Sequence, residues 1–517
     1  MNKDVGTAGF FYPSIFSKNN KQVKEAFECG EIDYAELTQW NFVDEFFCFI
    51  LKTGFLKYAD STYPNPREKN SVPIWFLIST QFVLRIYTGK YHQLKHLLNS
   101  GSILTRLGFN IANINCEGFN NKNKNDRKVV ADTDSIRRFF KDTRPDELRR
   151  WFNTDLQSWF KSKRAYLNEG LFILDQSHLV VPDNPRYEKA VKMPVDEFGQ
   201  WYRGYKKLSI EQKKAHPLHS CYTFSSLLHA NDSEDHFHIA GYEYGPGNED
   251  ELVQARKLIF NHCDRFPGVM KELIVDRGYI DGSLISKLKN NYNVDVLIPL
   301  KSNMDTYKDA VSIAKRTDKW ELTEHVLKKN GELKKETKSV LVENIELWDQ
   351  CPIKLNIYVS YTKRWSNSRQ KYDEYYWVLA SSKNYKSTKK AIERYALRFQ
   401  IEERFRQLKT SWEINKFSSP AEGLIEAHLC FISLTYSMLQ LYFRKNDLRK
   451  EAHQMLSTLR QGEKTGKDAV IVYADGKFGV LDLDYCFVTI AGLEDGPRKK
   501  ISEIMTRQME ARKKREQ

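Results

Sequence analysis

The stretch RYALRFQIEERFRQLK, residues 394–409, combines charged and apolar side chains in a helical pattern. An α-helix turns by about 100° per residue, which places Tyr395, Arg398, Glu402 and Lys409 on one narrow stripe. A separate apolar stripe, typical of a side that faces a core, consists of Leu397, Ile401, Phe405 and Leu408. The sequence therefore predicts one helix that carries a phenol, two cations and a carboxylate along one flank.

Two further carboxylates follow short apolar runs that we predict to be buried strands. Asp175 ends the run LFILD, and Asp276 ends the run LIVD. An ionised carboxylate at such a place is costly to remove from water unless a partner neutralises it. A pair of Mg²⁺ ions would do so, because hard cations take carboxylate oxygens and leave positions for phosphate and water. With Glu402 as a third ligand, the sequence predicts a two-metal site for in-line phosphoryl displacement.

Each of these residues also has an ordinary structural explanation. Acids at strand ends are often turn or helix-cap residues, and Glu402 alone could be a solvated helix acid, as we take Glu403 to be. Arg398, one turn before Glu402, could simply be the salt-bridge partner of Glu402 or Glu403. The chemical interpretation therefore depends on the whole set and not on any one member.

Length and charge bound the class of protein. A chain of 517 residues suggests two to four domains, and a hydrophobic content of 41% is enough to form real cores. Lys and Arg outnumber Asp and Glu by 81 to 67, for a net charge of +14. Such a balance favours a nucleic-acid partner, although a merely basic protein would show the same charge.

Several other function classes are disfavoured by the sequence. The eight cysteines form no closely spaced pair, and the N-terminus lacks a signal-peptide pattern, so we expect an intracellular, cytoplasmic protein. Phosphate-binding glycine loops are absent, so we expect no nucleotide cofactor. The apolar run Leu429–Phe443 is too short and too polar for a membrane span and predicts a buried helix.

A cluster of histidines invites a zinc interpretation. Its members are His216, His219, His229, His236 and His238, with Cys221 between them. Their spacing matches no standard structural zinc site, and His236 and His238 would share one face of a strand. We therefore predict no zinc site there.

Composition and predicted secondary structure divide the chain into five segments. Residues 1–165 are mainly helical with a polar loop at 117–128, and we expect them to bind DNA; residues 166–300 form the first part of an α/β core. Residues 301–390 read as a Lys-rich, all-β insertion, and residues 391–445 as the second part of the core. Residues 446–517 form a C-terminal region for dimerisation or DNA contact, with a hairpin that turns at Asp475-Gly476 and a basic helical end.

The motifs LFILDQS, LIVDRGYID and Y-x2-R-x3-E-x6-K together resemble the DDE transposases of bacterial insertion sequences, in the subgroup with a YREK signature. The resemblance covers about residues 170–445. It implies an RNase H-like mixed sheet with Asp175 on the first strand, Asp276 on the fourth and Glu402 on a following helix, and a β-rich insertion before Glu402. It implies two Mg²⁺ ions, with Mn²⁺ as a substitute, and nicking of double-stranded DNA at inverted-repeat ends, followed by 3′-hydroxyl attack on target DNA. Relatives pass through a DNA hairpin.

The same resemblance implies that the stripe of Tyr395, Arg398, Glu402 and Lys409 contacts DNA as well as metal. Arg398 and Lys409 can hold phosphates on either side of the scissile bond, and Tyr395 can donate a hydrogen bond to another. Trp377 lies on a predicted strand where, in relatives, a Trp stacks on a base flipped out near the transposon end. Trp377 could equally be a core residue of the sheet. Paired-end chemistry predicts a homodimer on DNA.

Two parts of the chain depart from this pattern. The N-terminal region shows no clean helix-turn-helix signature, and the hairpin at 468–484 does not match a helical dimerisation region. Two alternative functions stay open: an RNase H-like nuclease that cuts without strand transfer, and a DNA-binding relative that has lost catalysis and acts as a regulator.

Overall fold

The computed structural model describes residues 20–40, 42–87, 90–94, 131–202, 204–231, 236–346, 348–447 and 467–516. The chain forms two compact units, one of residues 1–159 with 410–517 and the other of residues 160–409. All candidate site residues belong to the second unit. The predicted loop at 117–128 lies outside the described residues.

The described residues form thirteen strands. In chain order they are β1 (Tyr34–Trp40), β2 (Leu171–Val180), β3 (Val191–Met193), β4 (His219–Asn231), β5 (His236–Pro246), β6 (Glu272–Ile274), β7 (Asp295–Pro299), β8 (Glu321–Leu327), β9 (Leu333–Ile345), β10 (Leu355–Ser366), β11 (Lys371–Ser381), β12 (Lys467–Ala474) and β13 (Lys477–Asp482).

The second unit is built on one large mixed sheet. Its strands run in the order β3-β4-β2-β6-β7-β11-β10-β9-β8, and β5 pairs with β4 as well. The pairs β2–β6 and β6–β7 are parallel, whereas β4 is antiparallel to both β2 and β5. β4 and β5 are buried along nearly their whole length, as expected for strands covered on both faces. The predicted RNase H-like mixed sheet is confirmed.

The segment 301–390 is not all-β, as the sequence suggested. It contains the helix Asp305–Lys315 in addition to strands β8–β11. β11 pairs antiparallel with β7, from Leu379 opposite Pro299 to Ser381 opposite Leu297, so the strands of this segment continue the sheet of the core. The Lys-rich composition gave little helical signal, because the buried face of this helix is small. It consists of Thr306, Ala310, Val311 and Ala314.

Helices pack on the sheet of the second unit and contribute to its apolar core. The helices that pack on its strands include Glu251–Arg265, Gly282–Tyr292 and Asp305–Lys315, and Thr388–Ala396 contacts β9 and β10. The first two begin at the caps Asp250 and Asp281, whose side chains accept hydrogen bonds from Leu252 N and Leu284 N. The other helical segments of this unit are the 3₁₀ turns Tyr205–Lys207 and Arg277–Tyr279 and the helices Ile210–Lys214 and Phe399–Thr410.

The first unit is mainly helical. Its helical segments are 20–28, Phe42–Lys52, Phe55–Thr62, Ile74–Ile86, Tyr91–Gln93, Thr133–Asp142, Pro145–Trp151, Phe152–Leu156, Gln157–Ser162 (which ends in the other unit), Glu422–Lys445, Leu483–Gly492 and Asp495–Glu516. The helix Glu422–Lys445 has 24 residues, more than the predicted run, and would by length and composition fit a membrane span. Its apolar window is completely buried inside the protein, so the prediction of a buried helix is confirmed.

A small sheet joins the two ends of the first unit. β1 pairs with β12, and β12 pairs with β13, all antiparallel. The predicted hairpin is confirmed: Ala474 pairs with Lys477, and both Asp475 and Gly476 have positive φ, at 48° and 74°. Two successive positive φ angles are what a two-residue type I′ turn requires. β1 was not predicted, because a single strand completed by a partner more than 400 residues away gives no local signal.

Candidate active site

Neighbouring parallel strands bring Asp175 and Asp276 to the same level of the sheet. Phe172 pairs with Leu273 and Ile173 with Ile274, and each aspartate lies two positions after the last residue of this β2–β6 pairing. Adjacent strands lie about 4.8 Å apart, so the two carboxylates are neighbours. The sequence suggested that Asp175 ends its strand, but β2 continues to Val180 through antiparallel pairing with β4.

Local hydrogen bonds fix both carboxylates. Asp276 caps the 3₁₀ turn Arg277–Tyr279, where its Oδ1 accepts a hydrogen bond from Gly278 N at 2.6 Å. Asp175 Oδ1 accepts from Gln176 N at 2.9 Å. The ordinary role of a capping acid is therefore real for Asp276, and it leaves the second carboxylate oxygen of each residue for other partners.

The single helix predicted over residues 394–409 is divided in two. Its first part belongs to Thr388–Ala396 and its second to Phe399–Thr410, with Leu397 and Arg398 between them. The N–H groups of Leu397 and Arg398 each bond to the carbonyl three residues back, at 3.2 and 2.9 Å, which is 3₁₀ geometry. Helical periodicity does not reveal such a tightening. The apolar stripe is nevertheless buried at Ile401, Phe405 and Leu408.

Arg398 joins the three acids. Its Nη2 lies 3.1 Å from Asp175 Oδ2 and 3.5 Å from Asp276 Oδ2, and its Nη1 donates to Glu402 Oε1 at 2.5 Å. Only 18% of the Arg398 side chain is exposed, so these pairs are shielded from bulk water. The simple salt bridge to Glu402 is thus present, but the same guanidinium also reaches both aspartates.

Burial and the neighbouring charges change the ionisation of Asp175 and Arg398. The pKa of Asp175 is raised to about 7, mainly by burial and also by the charges of Asp276 and Glu402, while Arg398 acts in the opposite direction. The pKa of Arg398 is raised by these carboxylates in spite of its burial. Burial therefore holds Asp175 close to protonation in spite of Arg398, and an additional cation beside it would favour its ionised form.

Lys409, near the end of the helix Phe399–Thr410, is held by the turn at residues 196–200. Its Nζ donates to the carbonyl of Phe198 at 2.6 Å. Burial lowers the pKa of Lys409 to about 8, against the opposing effects of Asp196, Cys221 and Asp175. The turn is closed by two hydrogen bonds from Phe198 N and Gln200 N to Asp196 Oδ1, at 2.9 and 2.8 Å. Within the described part of the chain, the bond to Phe198 is the hydrogen bond that Lys409 Nζ donates, which leaves two of its three donors for another partner.

Tyr395, near the end of the helix Thr388–Ala396, contacts Trp377 of strand β11. Their ring centroids lie 5.5 Å apart at an interplanar angle of 63°, an edge-to-face geometry. Trp377 lies on β11 and is partly exposed, so it is not a fully buried core residue. The pKa of Tyr395 is raised to about 12, mainly by burial, which keeps its hydroxyl protonated and able to donate.

Two residues near the acids were missed by the sequence reasoning. Tyr279 follows Asp276 within the motif DRGY, and its side chain is 1% exposed. Glu251 begins the helix Glu251–Arg265, and a Cβ added at Gly278 would lie 2.3 Å from its Oε1 and 2.8 Å from Asp276 Oδ1. The pKa of Glu251 is raised by burial first and then by the charge of Asp276. Only the proximity of Tyr279 to Asp276 in sequence offered a signal.

The donor set suits a divalent cation. Among the described residues, no three His, Cys, Asp or Glu side chains already enclose a common metal position, because Asp175, Asp276 and Glu402 are turned towards Arg398. Three carboxylates that all reach one guanidinium nevertheless converge on one centre of positive charge. Carboxylate oxygens are the ligands that Mg²⁺ and Mn²⁺ prefer, so the chemistry of the set fits such an ion.

The histidines act as packing and hydrogen-bonding groups. His236 Nε2 donates to the carbonyl of Ala165 at 2.8 Å, and His229 Nδ1 lies 3.0 Å from that of Leu171. The rings of His236 and His238 are parallel, with centroids 6.4 Å apart, as expected for alternate residues on one strand face.

Comparison with known families adds one finding. Residues 167–438, more than half of the 517, match the family described as transposase DDE domain. No curated protein matches the chain. The chain therefore belongs to this family of transposases, which cleave and transpose DNA with the help of divalent metal ions.

Proposed function

We propose that this DDE transposase cuts DNA at the inverted-repeat ends of a bacterial insertion sequence and joins the freed ends to target DNA. Hydrolytic nicking at each end would come first, and attack by the new 3′-hydroxyl on a target phosphodiester would follow. The spacing of Tyr395, Arg398, Glu402 and Lys409 supports membership of the YREK subgroup. Similarity to that subgroup also implies a DNA hairpin before transfer.

The convergence of Asp175, Asp276 and Glu402 on Arg398 is the observation that carries this proposal. Strand β2, the turn that follows β6 and one helix supply a carboxylate each, and the three reach a single cationic group. Structural ion pairs in a protein are usually formed by one acid and one base, so three acids for one guanidinium leave an excess of negative charge. A divalent cation is the partner that would balance such an excess.

We assign metal binding to Asp175, Asp276 and Glu402, with two Mg²⁺ ions as the cofactor and Mn²⁺ as a substitute. When bound, these ions would stabilise the attacking and leaving oxygens of a phosphoryl displacement. Arg398 would then be available for a phosphate oxygen of the DNA. Its Nε–H is buried and has no hydrogen-bond partner among the described residues, so Arg398 keeps a donor even while it pairs with the acids.

Three further side chains would hold the DNA. Lys409 carries two unused N–H donors, and Tyr395 carries a protonated hydroxyl, both suited to phosphate oxygens. Trp377 offers a partly exposed ring braced by Tyr395, which suits stacking on a base removed from the duplex. Each assignment predicts a loss of DNA binding or cleavage when the side chain is truncated.

We further propose a division of labour along the chain. Residues 1–165 would bind the inverted repeats, residues 166–300 and 391–445 would supply the catalytic core, residues 301–390 would extend it, and residues 446–517 would support dimerisation or DNA contact. Double-stranded DNA, at the element ends and at the target, would be the partner of a homodimer. In a bacterial cell this protein would act in the cytoplasm, on the nucleoid.

Labelled fragments of the DNA that flanks the gene provide a direct test. The fragments are incubated with purified protein and Mg²⁺, in parallel with Glu402→Gln. Glu403→Gln is a matched control, because Glu403 neighbours Glu402 on the same helix but pairs with Arg406 at 2.5 Å. We expect cleavage at an inverted-repeat boundary with the wild type and with Glu403→Gln, and none with Glu402→Gln.

The products distinguish the alternatives. Fragments joined to a target plasmid would establish strand transfer, whereas cleaved fragments alone would indicate a nuclease without transfer. Binding without cleavage in both Mg²⁺ and Mn²⁺ would indicate a regulator and would overturn the proposal. Complexes that hold one protein per end throughout cleavage, with no paired species, would overturn the proposed dimer.

A further inference from the structure

Tyr279 is rigidly connected to one of the catalytic acids. It ends the 3₁₀ turn that Asp276 caps, and its N–H donates to the carbonyl of Asp276 at 3.2 Å. Gly278, between them, donates to Asp276 Oδ1 at 2.6 Å. The ring of Tyr279 belongs to the main apolar core of this unit, and only 1% of the side chain is exposed. Neither the turn nor the ring can move without disturbing the carboxylate of Asp276.

The hydroxyl of Tyr279 is buried and has no hydrogen-bond partner among the described residues. Buried hydroxyl groups almost always have a partner, because leaving one unpaired costs free energy. An unpaired hydroxyl in a well-packed core suggests a hydrogen-bond partner that comes within reach only when the neighbouring side chains rearrange. The question is which group that is.

The acids of the candidate site act electrostatically on this hydroxyl. Burial raises the pKa of Tyr279, and the charges of Asp175, Glu251 and Asp276 raise it further, with Asp175 the strongest of the three and Arg398 acting in the opposite direction. Glu251 stands beside the turn, where a side chain at position 278 would collide with it. A phenol with a raised pKa stays protonated, so Tyr279 can donate a hydrogen bond to a carboxylate that is ionised.

We propose that Tyr279 is a positioning residue, whose hydroxyl donates a hydrogen bond to the carboxylate of Asp175 when that carboxylate leaves Arg398 to bind a divalent cation. The proposal rests on the proposed metal site. Carboxylates that bind metals are commonly held by outer hydrogen-bond donors, which fix their orientation and raise metal affinity. Asp175 has one such donor already, Gln176 N, and its other oxygen is the one that now faces Arg398.

The test replaces the hydroxyl and nothing else. Tyr279→Phe is compared with the wild type in two measurements: binding of Mn²⁺ to the DNA-free protein, followed by the electron paramagnetic resonance of free Mn²⁺, and metal-free unfolding in urea. We expect Mn²⁺ affinity to fall about tenfold or more. We expect the metal-free stability to be unchanged or higher, because the hydroxyl has no partner there to lose.

Tyr358→Phe is the matched control. Tyr358 is equally buried, at 1% exposure, but its hydroxyl donates to the carbonyl of Lys383 at 3.2 Å and accepts from Tyr385 N at 2.7 Å. We expect the opposite behaviour from this variant, with a lower stability in urea and an unchanged Mn²⁺ affinity. The pair of variants separates a hydroxyl that supports the metal site from one that supports the fold.

Two outcomes would overturn the proposal. One is wild-type Mn²⁺ affinity in Tyr279→Phe, and the other is a loss of metal-free stability as large as that of Tyr358→Phe. Asp175→Asn separates this failure from that of the proposed function. If Asp175→Asn weakens Mn²⁺ binding and Tyr279→Phe does not, Tyr279 has no such role but the metal site stands. If neither variant weakens binding, both proposals are wrong.

Discussion

Arg398 and Glu402, one helical turn apart, form a salt bridge that extends through the same guanidinium to Asp175 and Asp276. A helical i,i+4 ion pair on a surface contributes little, about 0.3–0.5 kcal/mol. This one is different, because the arginine is 82% shielded and serves three acids at once. The cation that neutralises the site in the absence of metal is therefore part of the signature itself, and it must be released for the acids to bind anything else.

Replacement of Arg398 by Gln tests this competition. The free energy of unfolding without metal should fall by about 1–3 kcal/mol, because the three carboxylates lose the cation that they share. Mn²⁺ should then stabilise the variant more than it stabilises the wild type, because the ion no longer displaces a guanidinium. Urea unfolding with and without Mn²⁺ measures both effects.

Arg406→Gln provides the control for Arg398. Arg406 pairs with Glu403 on the same helix, but its side chain is 56% exposed, so its loss should change the unfolding free energy by less than about 1 kcal/mol. Weaker Mn²⁺ binding by Arg398→Gln than by the wild type would contradict the competition and would mean that Arg398 organises the acids for the ion.

The buried histidine His262 should make the fold sensitive to acid. Its ring packs among Tyr166, Phe172 and Phe266, and both ring nitrogens lack a partner in the described part of the chain. Burial lowers its pKa to about 3, with a further contribution from the charge of Lys161. The unfolded chain binds a proton near pH 6.5 and the folded chain does not, so stability is complete above pH 6.5 and is lost as the pH falls towards 3.

His262→Leu should remove this pH-dependent contribution to the free energy of unfolding. We expect the wild type to lose about 2 kcal/mol of unfolding free energy through His262 between pH 7 and pH 5, and the variant to lose correspondingly less. Urea unfolding at pH 8 and at pH 5 measures the difference, and the comparison at pH 8 corrects for any change in packing. Equal pH dependence in the two proteins would show that His262 is protonated in the folded state.

The candidate site shows how far sequence reasoning reaches. Asp175, Asp276 and Glu402 were singled out from two strand patterns, one helical stripe and the resemblance of the whole set to a family, and the structure brings all three to Arg398. The bond between Lys409 and Phe198 spans 211 positions of the chain, and no local pattern encodes it. The sharing of Arg398 by three acids likewise depends on the register between β2 and β6.

The errors at the fold level have the same origin. The interruption at Leu397 and Arg398 needs only a slightly tighter turn, to which apolar spacing is blind. Asp175 was placed at a strand end because the apolar run stops there, whereas β4 continues to pair with β2 up to Val180 through polar residues such as Gln176. Hydrogen bonds to a distant partner, and not side-chain polarity, decide where this strand ends.

The depressed pKa of Lys409 predicts an unusual response to alkaline pH. The folded chain releases the Lys409 proton near pH 8, mainly because of burial, whereas the unfolded chain holds it to about pH 10.4. Stability through this group should therefore rise as the pH increases from 8 to 10. DNA affinity should fall over the same range, because the proposed phosphate contact loses its charge.

Lys409→Met should abolish both effects. Unfolding in urea at pH 7.5 and pH 9.5, together with DNA binding at the same two values, provides the measurement. Lys389→Met is the control, because Lys389 is an exposed lysine of the preceding helix, 69% accessible and paired only weakly with Glu393. Identical pH responses of Lys409→Met and the wild type would show that another group titrates there.

Gly199 sets the position of the turn that holds Lys409. Its φ is +77°, and a Cβ there would lie 2.2 Å from the carbonyl oxygen of His178 and 3.1 Å from Lys409 Nζ. Gly204 has nearly the same φ, +70°, but a Cβ on it would meet nothing within 4 Å. Both substitutions by alanine incur the strain of a left-handed backbone, about 1 kcal/mol, whereas only Gly199→Ala adds a collision with backbone.

We therefore expect Gly199→Ala to lower the unfolding free energy by about 1–3 kcal/mol more than Gly204→Ala. Because the turn must shift away from β2, Gly199→Ala should also break the bond from Lys409 to Phe198 and raise the pKa of the lysine, so that the alkaline change in DNA affinity moves to higher pH. Urea unfolding of both variants and DNA binding between pH 7 and pH 10 check the two parts separately. Equal destabilisation by the two alanines would mean that the turn accommodates the methyl group without moving, and Lys409 would then titrate as in the wild type.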